Sequence, residues 1–326
     1  MIITKTPFRV SFFGGGTDYP EYFEQHGGAV LGTGIHHFAY LSATRFLSRL
    51  FDYNMRIAYR QVECVSSIDE IQHGPFREAL RWCGIERDIE VDYTSELPSF
   101  SGLGSSSTFT VGLLHALHAY RRRAVRGLEL AYEAIKLERE VLREAVGCQD
   151  QVFAAVGGFN VIEFRRVDDI SVHRIPLSAE RMQYFQDHLY MCWTGIKRRA
   201  ADVATKQIKK VADNRERLLK MRRMVDDAHN VLTSGQDLTK FGELLHETWM
   251  LKRSLDAGVS NDTIETIYDT GRAAGAIGGK LLGAGGGGFV LFFVPPDKRA
   301  AVREALSTYE EVPIAINAPG SHIIHS

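Results

Sequence analysis

Charge of one sign is what this chain lacks most clearly: 39 lysines and arginines stand against 40 aspartates and glutamates, a formal charge of −1 over 326 residues. A balance so close to zero gives no general pull toward nucleic acid or an anionic membrane, so any polyanion has to be held by local groups. Cysteine is scarce as well. Cys64, Cys83, Cys148 and Cys192 form no C-x-x-C pair, which argues against a zinc site or a disulfide framework and for free thiols in a reducing compartment. No apolar run approaches the roughly 18 residues that a membrane span needs, and MIITKTPFRVSFFGGG at the start carries no cleavable-signal pattern. A cytoplasmic protein with neither a nucleic-acid nor a membrane partner is expected.

What is present is ordinary globular composition, 44% apolar and 24% charged, in a chain long enough for one large or two medium domains. The segments IITKTPFRVSFFG, HHFAYLSATRF, MRIAYRQVECV and DIEVDYTSEL read as strands, rich in β-branched and aromatic residues. Helical spacing follows over about 105–146. FNVIEFRRV and YMCWTG return to strand character, about 200–248 is helical, and GKLLGAGGGGFVLFFVPPD, a helix near 297–308 and a strand EVPIAI close the chain. This order predicts an α+β protein of two lobes, 1–180 and 181–326, with the boundary inside 175–185.

The stretch SGLGSSS, Ser101 to Ser107, runs directly into TFTVGLLHALHAY. Phe109, Leu113, Ala116, Leu117 and Tyr120 share one stripe, so a helix is predicted to start near Ser105 and to bury that face. Its first N–H groups lack internal partners and carry the positive end of the helix dipole, while Gly102 and Gly104 let the backbone come close to a ligand. Phosphate binding and a plain serine cap both remain open on this motif alone. It is not a Walker A loop, because no Gly-Lys-Ser/Thr follows. A second cluster, Gly283-Ala284-Gly285-Gly286-Gly287-Gly288, lies between two apolar segments and reads as a tight loop beside another backbone or a ligand rather than as a linker. A third, Gly14-Gly15-Gly16, ends the first strand before Thr17-Asp18, where a turn and a site are equally compatible.

In LELAYEAIKLEREVLREAV, turned at about 100° per residue, Ala131, Ala134, Ile135, Leu142 and Ala145 fall in one sector with Glu138 in its middle, while Glu133, Glu140 and Glu144 face solvent. A carboxylate on the apolar side needs a cation or a metal unless it sits at the boundary of the stripe. Twelve residues on, GCQDQ carries Asp150, either a second carboxylate for base chemistry or a turn residue. Arg121-Arg122-Arg123 ends the helix after SGLGSSS, about 15 residues at ~1.5 Å each and so roughly 22 Å from its start. It reads as compensation of the helix dipole. KQIKKVADNRERLLKMRRMV reads as an amphipathic helix with a solvated basic face.

Together these residues resemble the GHMP small-molecule kinases over nearly the whole chain. PFRVSFFGGGTDYPEYF looks like the substrate-side first motif of that superfamily, LPSFSGLGSSST like its phosphate-binding second motif and KLLGAGGGGF like its third. Within the superfamily, Gly-Gly-Gly-Thr-Asp, LEREVL with GCQDQ, and WTGIKRRA look most like the D-glycero-D-manno-heptose 7-phosphate kinases. The resemblance implies a lobe like ribosomal protein S5 domain 2 followed by a ferredoxin-like lobe, and use of ATP and Mg²⁺. It assigns Ser106 and Glu138 to the metal, Asp150 to the acceptor hydroxyl as base, and Arg9 beside it. It gives Gly15, Gly16, Thr17 and Asp18 to the sugar. Ser101, Gly102, Leu103, Gly104, Ser105, Ser106 and Ser107 would cradle the nucleotide phosphates, with Gly285, Gly286 and Gly287 bracing them. The implied product is a 1,7-bisphosphate on the way to GDP-heptose and surface polysaccharide. Lys197-Arg198-Arg199 is the best-placed positive charge for the acceptor's own phosphate, Arg198 above all. A kinase for an unphosphorylated sugar and a non-catalytic sensor are the competing readings, and a homodimer is possible on any of them.

Overall fold

The computed structural model describes residues 1–198 and 200–326, with side chains throughout except at 200–202. The first lobe is laid down in the order β1 (Ile2–Phe13), α1 (Pro20–His26), β2 (Gly28–Arg45), β3 (Met55–Ala58), β4 (Val62–Val65), α2 (Gly74–Trp82), β5 (Ile89–Ser95), α3 (Ser105–Tyr120), α4 (Leu128–Lys136), α5 (Gln149–Val156), β6 (Phe159–Arg166) and β7 (Asp169–Arg174). The second follows as α6 (Ala179–Asp187), β8 (Leu189–Trp193), α7 (Ala200–Lys209), α8 (Arg215–Thr233), α9 (Thr239–Arg253), α10 (Asp262–Ala273), β9 (Gly278–Leu281), β10 (Phe289–Phe293) and α11 (Arg299–Ala305), and the chain ends on β11 (His322–His325).

The first lobe is built on a sheet ordered β11-β1-β2-β5-β3-β4, with β6 and β7 continuing from β2. β2 is long because it serves two partners on one side: Gly28 to Thr33 pair with β6 and Ala39 to Arg45 with β5, while β1 runs along its other side. α3 packs across β1 and β2. The predicted single buried stripe is too narrow a description of it, since every residue from Ser107 to His118 is buried. Small residues allow this enclosure; a Cβ on Gly112 would come within 2.8 Å of both Leu41 Cδ1 and Thr6 Oγ1.

The second lobe carries the antiparallel sheet β8-β10-β9. EVPIAI, expected as the last strand, instead runs beside β8 with an isolated bridge between Cys192 and Glu311, where Trp193 N donates to Glu310 O and Val312 N to Met191 O. Pro313 has no N–H to continue the ladder. The segment then crosses to the first lobe, bridging Ile316 to Ile35 before β11 pairs with β1.

Other expectations are refined in the same way. MRIAYRQVECV is a hairpin of β3 and β4 rather than one strand. The basic 206–225 stretch is interrupted between α7 and α8. The helix expected to run to 146 passes into a π-turn at Leu137–Val141 and stops there. Glu133 is not a solvated residue: it accepts from His118 Nε2 at 2.6 Å, Trp82 Nε1 at 3.0 Å and Arg123 Nη2 at 2.9 Å. Burial raises the Glu144 carboxyl. No helix among the described residues is long and apolar enough to cross a membrane.

The lobes share a core. Phe12 and Phe13 of β1 meet Phe185 of α6, Phe241 of α9 and Phe293 of β10 in a cluster whose ring centroids lie 4.8–5.8 Å apart, several edge to face. Phe241→Ala empties its centre and is expected to cost ~3–5 kcal/mol in urea unfolding, against ~0.5 kcal/mol or less for exposed Tyr184→Ala. Equal small costs would mean that this cluster does not hold the lobes.

Candidate active site

Three glycine-rich turns meet on one side of the sheet. The phosphate-like loop 101–104 enters α3 through Gly104 at φ +78°, and no side chain caps that helix, so its first-turn N–H groups are left for a ligand. A Cβ on Gly102, at φ +82°, would sit 2.6 Å from the Leu282 carbonyl oxygen, and one on Gly283 2.5 Å from Gly102 Cα. A Cβ on Gly288 would lie 2.3 Å from Ser101 O. The third cluster therefore does press against the second, but through Gly283 and Gly288. Gly285, Gly286 and Gly287, expected to brace the loop, abut Val259, Arg198 and Ile196 instead. Ser105 Oγ accepts from Phe100 N at 3.2 Å, and Ser101 is buried with its hydroxyl unpartnered.

Arg9 on β1 ties this loop to α5. Its Nε and Nη2 donate to the two oxygens of Asp150, each at 2.8 Å, its Nη1 donates to Gly102 O at 2.7 Å, and its backbone N donates to Leu103 O at 3.1 Å. Arg9 is 4% exposed while the Asp150 side chain keeps 25% of its surface open. A fork of this kind fixes a carboxylate in angle as well as distance. Gly104 is glycine for this reason too, since its Cβ would come 3.3 Å from Asp150 Oδ2.

Asp18 lies on the other side of Asp150. It is buried, accepts from Gly16 N and Gln149 Nε2 at 2.9 Å each, and has its carboxyl raised by burial and then by the charge of Asp150. Gly147 leaves room for it: a Cβ there would meet Asp18 Oδ2 at 2.0 Å. Thr17 is turned inward, its hydroxyl donating to Gly14 O and Ala29 O, so it shapes the turn. Gly16 opens onto a narrow pocket shared with Tyr19, Gln207, Val211, Asn214, Leu218 and Leu255, while Gly15 has no close neighbour.

Glu138, on the π-turn, is fully buried. It accepts from Ser107 Oγ at 2.9 Å and from Gln151 Nε2, and burial pushes its carboxyl up to about 7. Its Oε1 has no partner among the described residues. The hydroxyl joined to Glu138 is that of Ser107, where Ser106 was expected; Ser106 is exposed at the helix mouth, a step of about 100° around α3. Among the described residues no cluster of three or more His, Cys, Asp or Glu could cage a metal. An unpartnered buried carboxylate oxygen beside a serine run does fit a hard cation that takes its remaining ligands from phosphate and water.

Arg198 contacts the nucleotide-side loops rather than the Gly15–Asp18 turn: Nη1 donates to Gly258 O at 3.3 Å, the backbone N to Phe100 O at 3.4 Å, and Gly286 lies beneath the guanidinium. Arg199 lies outside the described residues. Other basic residues of the first lobe are engaged elsewhere: Arg56 pairs with Glu90 and Asp92, Lys5 lies over the Phe38 ring, and Arg45 lines a cleft with Arg121 and Arg122.

Two lysines were missed. Lys280 is 2% exposed and donates to Ser11 O at 2.9 Å and Phe12 O at 2.8 Å. Lys252 donates to Leu281 O at 3.1 Å and to Gly283 O. Burial, and then the charge of Arg9, pushes the Lys252 amine down to about 7, and the Lys280 amine falls well below its usual range. The signal was available: Phe241, Leu245, Thr248 and Trp249 share helical spacing with Lys252 on α9, the same pattern that singles out Glu138.

These features define a two-lobed fold in which an uncapped helix mouth stands beside a forked carboxylate. The family models for the GHMP kinases N terminal domain and the GHMP kinases C terminal match residues 68–158 and 224–311, together more than half of the chain. The chain belongs to the GHMP kinase superfamily, ATP-dependent kinases of small-molecule acceptors. The D-glycero-alpha-D-manno-heptose 7-phosphate kinase of Campylobacter jejuni is 29% identical over 94% of this chain and 93% of its own. The L-fucokinase/L-fucose-1-P guanylyltransferase of Bacteroides fragilis is 25% identical over 92% of this chain but only 35% of its own length. Among solved structures, a D-glycero-D-manno-heptose 1-phosphate kinase from Bacteroides thetaiotaomicron superposes over all of both chains with TM-score 0.82 at 24% identity, a likeness of fold.

The contact between the second and third glycine clusters is open to test. Gly102→Ala and Gly127→Ala both put alanine at positive φ, but nothing lies within 4 Å of a Cβ at Gly127. Calorimetry is expected to find ADP binding weakened about tenfold or more, ~1.4 kcal/mol, in the first and unchanged in the second.

Proposed function

We propose that the chain transfers the γ-phosphoryl group of ATP to the anomeric hydroxyl of D-glycero-D-manno-heptose 7-phosphate, giving the 1,7-bisphosphate. The observation that carries this reading is the fork of Arg9 on Asp150 between the helix mouth and the Gly16 turn. It holds a carboxylate where an acceptor hydroxyl and a terminal phosphate would meet. The heptose acceptor rests on the end-to-end similarity to the Campylobacter jejuni heptose 7-phosphate kinase.

In this mechanism the first-turn N–H groups of α3, with Gly102 to Ser107, bind the β- and γ-phosphates. Asp150 accepts the hydrogen bond of the acceptor hydroxyl and aims its lone pair along the line of the P–O bond to be broken. The acceptor oxygen bonds to phosphorus, the bridging oxygen leaves with ADP, and the hydroxyl proton passes to the Asp150 carboxylate. Most of the gain comes from positioning and charge neutralisation. Glu138 and the serine run, Ser106 at its mouth, would hold Mg²⁺, which when bound offsets charge on the phosphates. Asp18, held by Gly16 N and Gln149, would bind sugar hydroxyls. Arg198 would serve the phosphates from the third-motif side, consistent with its contacts to Gly258 and Phe100.

A second reading, an unphosphorylated sugar as acceptor, is favoured by one feature: among the described residues, no cationic side chain lines the pocket beside Gly16. An ADP-release screen over heptose 7-phosphate, mannose 6-phosphate, sedoheptulose 7-phosphate and free hexoses separates the two. The proposal expects heptose 7-phosphate to give the highest kcat/KM, and preference for a free hexose would overturn it. Asp150→Asn is expected to lose roughly 10²–10⁴ in turnover while ATP still binds. Wild-type turnover in that variant would remove Asp150 from the reaction.

A further inference from the structure

Lys252 is an anomaly on electrostatic grounds. It is 6% exposed, and its described hydrogen bonds go to two neutral carbonyls, Leu281 O and Gly283 O, with no carboxylate paired to it. The charged groups that face it are Arg9 from β1 and Lys280 from β9, both cationic, and Asp18 from the first glycine turn. A buried ammonium in such company is costly unless an anion offsets it. The missing anion has an obvious direction of approach. Gly283, which Lys252 holds by its carbonyl, is packed against Gly102 at the entrance to the uncapped helix α3.

We propose that Lys252 is a positioning residue that takes up a proton when a nucleotide polyphosphate binds, its ammonium then locking the Leu281 and Gly283 carbonyls so that the third glycine cluster braces the phosphate loop. This rests on the nucleotide reading of that loop. In the free protein the amine titrates near neutrality, pushed down to about 7 by burial and by Arg9. A dianionic or trianionic phosphate nearby restores the charged form, and by linkage protonation tightens nucleotide binding to the same degree. Arg9 is already offset by its fork with Asp150, which leaves Asp18, its own carboxyl raised, as the one described carboxylate facing the two buried amines.

The test is calorimetry of Mg²⁺·ADP binding in two buffers of different ionisation enthalpy at about pH 8, where the nucleotide phosphates are already ionised. Wild type is expected to take up roughly half to one more proton per nucleotide than Lys252→Arg, whose guanidinium stays charged throughout. The wild-type affinity should fall by roughly tenfold between about pH 7 and pH 8.5, and that of Lys252→Arg by less than about twofold. Lys252→Met should bind ADP weakly and lose the share of the pH dependence and of the proton uptake that Lys252 supplies. Comparing variants cancels protons exchanged at Glu138 or Asp18. Equal proton uptake in wild type and Lys252→Arg, or a flat wild-type affinity, overturns the proposal while leaving the nucleotide site intact. If Lys252→Arg does not fold, Lys252→Met takes its place as the comparison, and proton uptake equal to that of wild type overturns the proposal. Failure of wild type to bind ADP at any pH would instead remove the nucleotide reading on which it rests.

Discussion

Everything at this site is registered on one guanidinium. Arg9 donates to Asp150 through two nitrogens, to Gly102 O through a third, and its backbone N holds Leu103 O, so one residue of β1 sets α5, the phosphate loop and the sheet against one another. A lysine could supply the charge but not the fork: a point ammonium cannot satisfy both carboxylate oxygens and a carbonyl in fixed directions. Arg9 is buried in a strand that pairs with β2, opposite Gly34, on one side and is held by Leu103 O on the other, so its backbone is fixed before its side chain makes any contact. Rigid support of that kind is what in-line transfer demands, since the chemistry offers the protein little besides placement.

The near-zero net charge sharpens the point. With 39 basic and 40 acidic residues, the chain attracts phosphate only where it sorts its charges, and it does so inside. Arg9, Lys252 and Lys280 converge behind the glycine loops, while many of the exposed arginines are paired off: Arg81 with Asp69 and Glu78, Arg303 with Glu311, Arg123 with Glu129 and Glu133. Buried charges act through a low dielectric and are poorly screened by salt, and there Arg9 is paired with Asp150 while burial pushes both lysine amines down.

How much of this could be read in the sequence depended on the kind of signal. The glycine turns and the apolar stripe around Glu138 were legible because each breaks a local rule; in the structure Arg9 joins Gly102 O to Asp150, and Gln151, the next residue, meets Glu138. Registers one residue apart were not legible. Whether Ser106 or Ser107 meets Glu138 depends on how α3 is rotated against the π-turn, and a π-turn leaves no periodicity of its own to read. Gly283 and Gly288 braced the loop in place of Gly285 to Gly287 because which backbone atoms meet is fixed by two distant strands. Lys252 was hidden by attention to carboxylates. Long-range pairings such as β11 on β1 have no local trace at all, and EVPIAI reads as a strand because its propensity ignores what Pro313 does to a ladder.

That last segment bears on how the lobes behave. After Glu311 beside β8, the chain bridges Ile316 to Ile35, Asn317 N donates to Thr33 Oγ1 at 2.8 Å, and Ala318 exchanges backbone hydrogen bonds with Gly34 and Gly158 before Ser321 meets Thr6 and His115. A Cβ on Gly157 or Gly320 would collide with the opposing backbone at 2.1 and 2.2 Å, so the strap is drawn tight along its length. It joins the second lobe's sheet edge to the strand that pairs with β1, and Lys280 makes a second tie from β9 to Ser11 and Phe12. With the phenylalanine cluster between them, the two lobes are fastened at three places. Gln207 adds a tie of its own within this side of the molecule, since it lines the pocket beside Gly16 while its Nε2 donates to Ala284 O of the third glycine cluster at 2.9 Å, so the pocket wall and that cluster are held by one side chain.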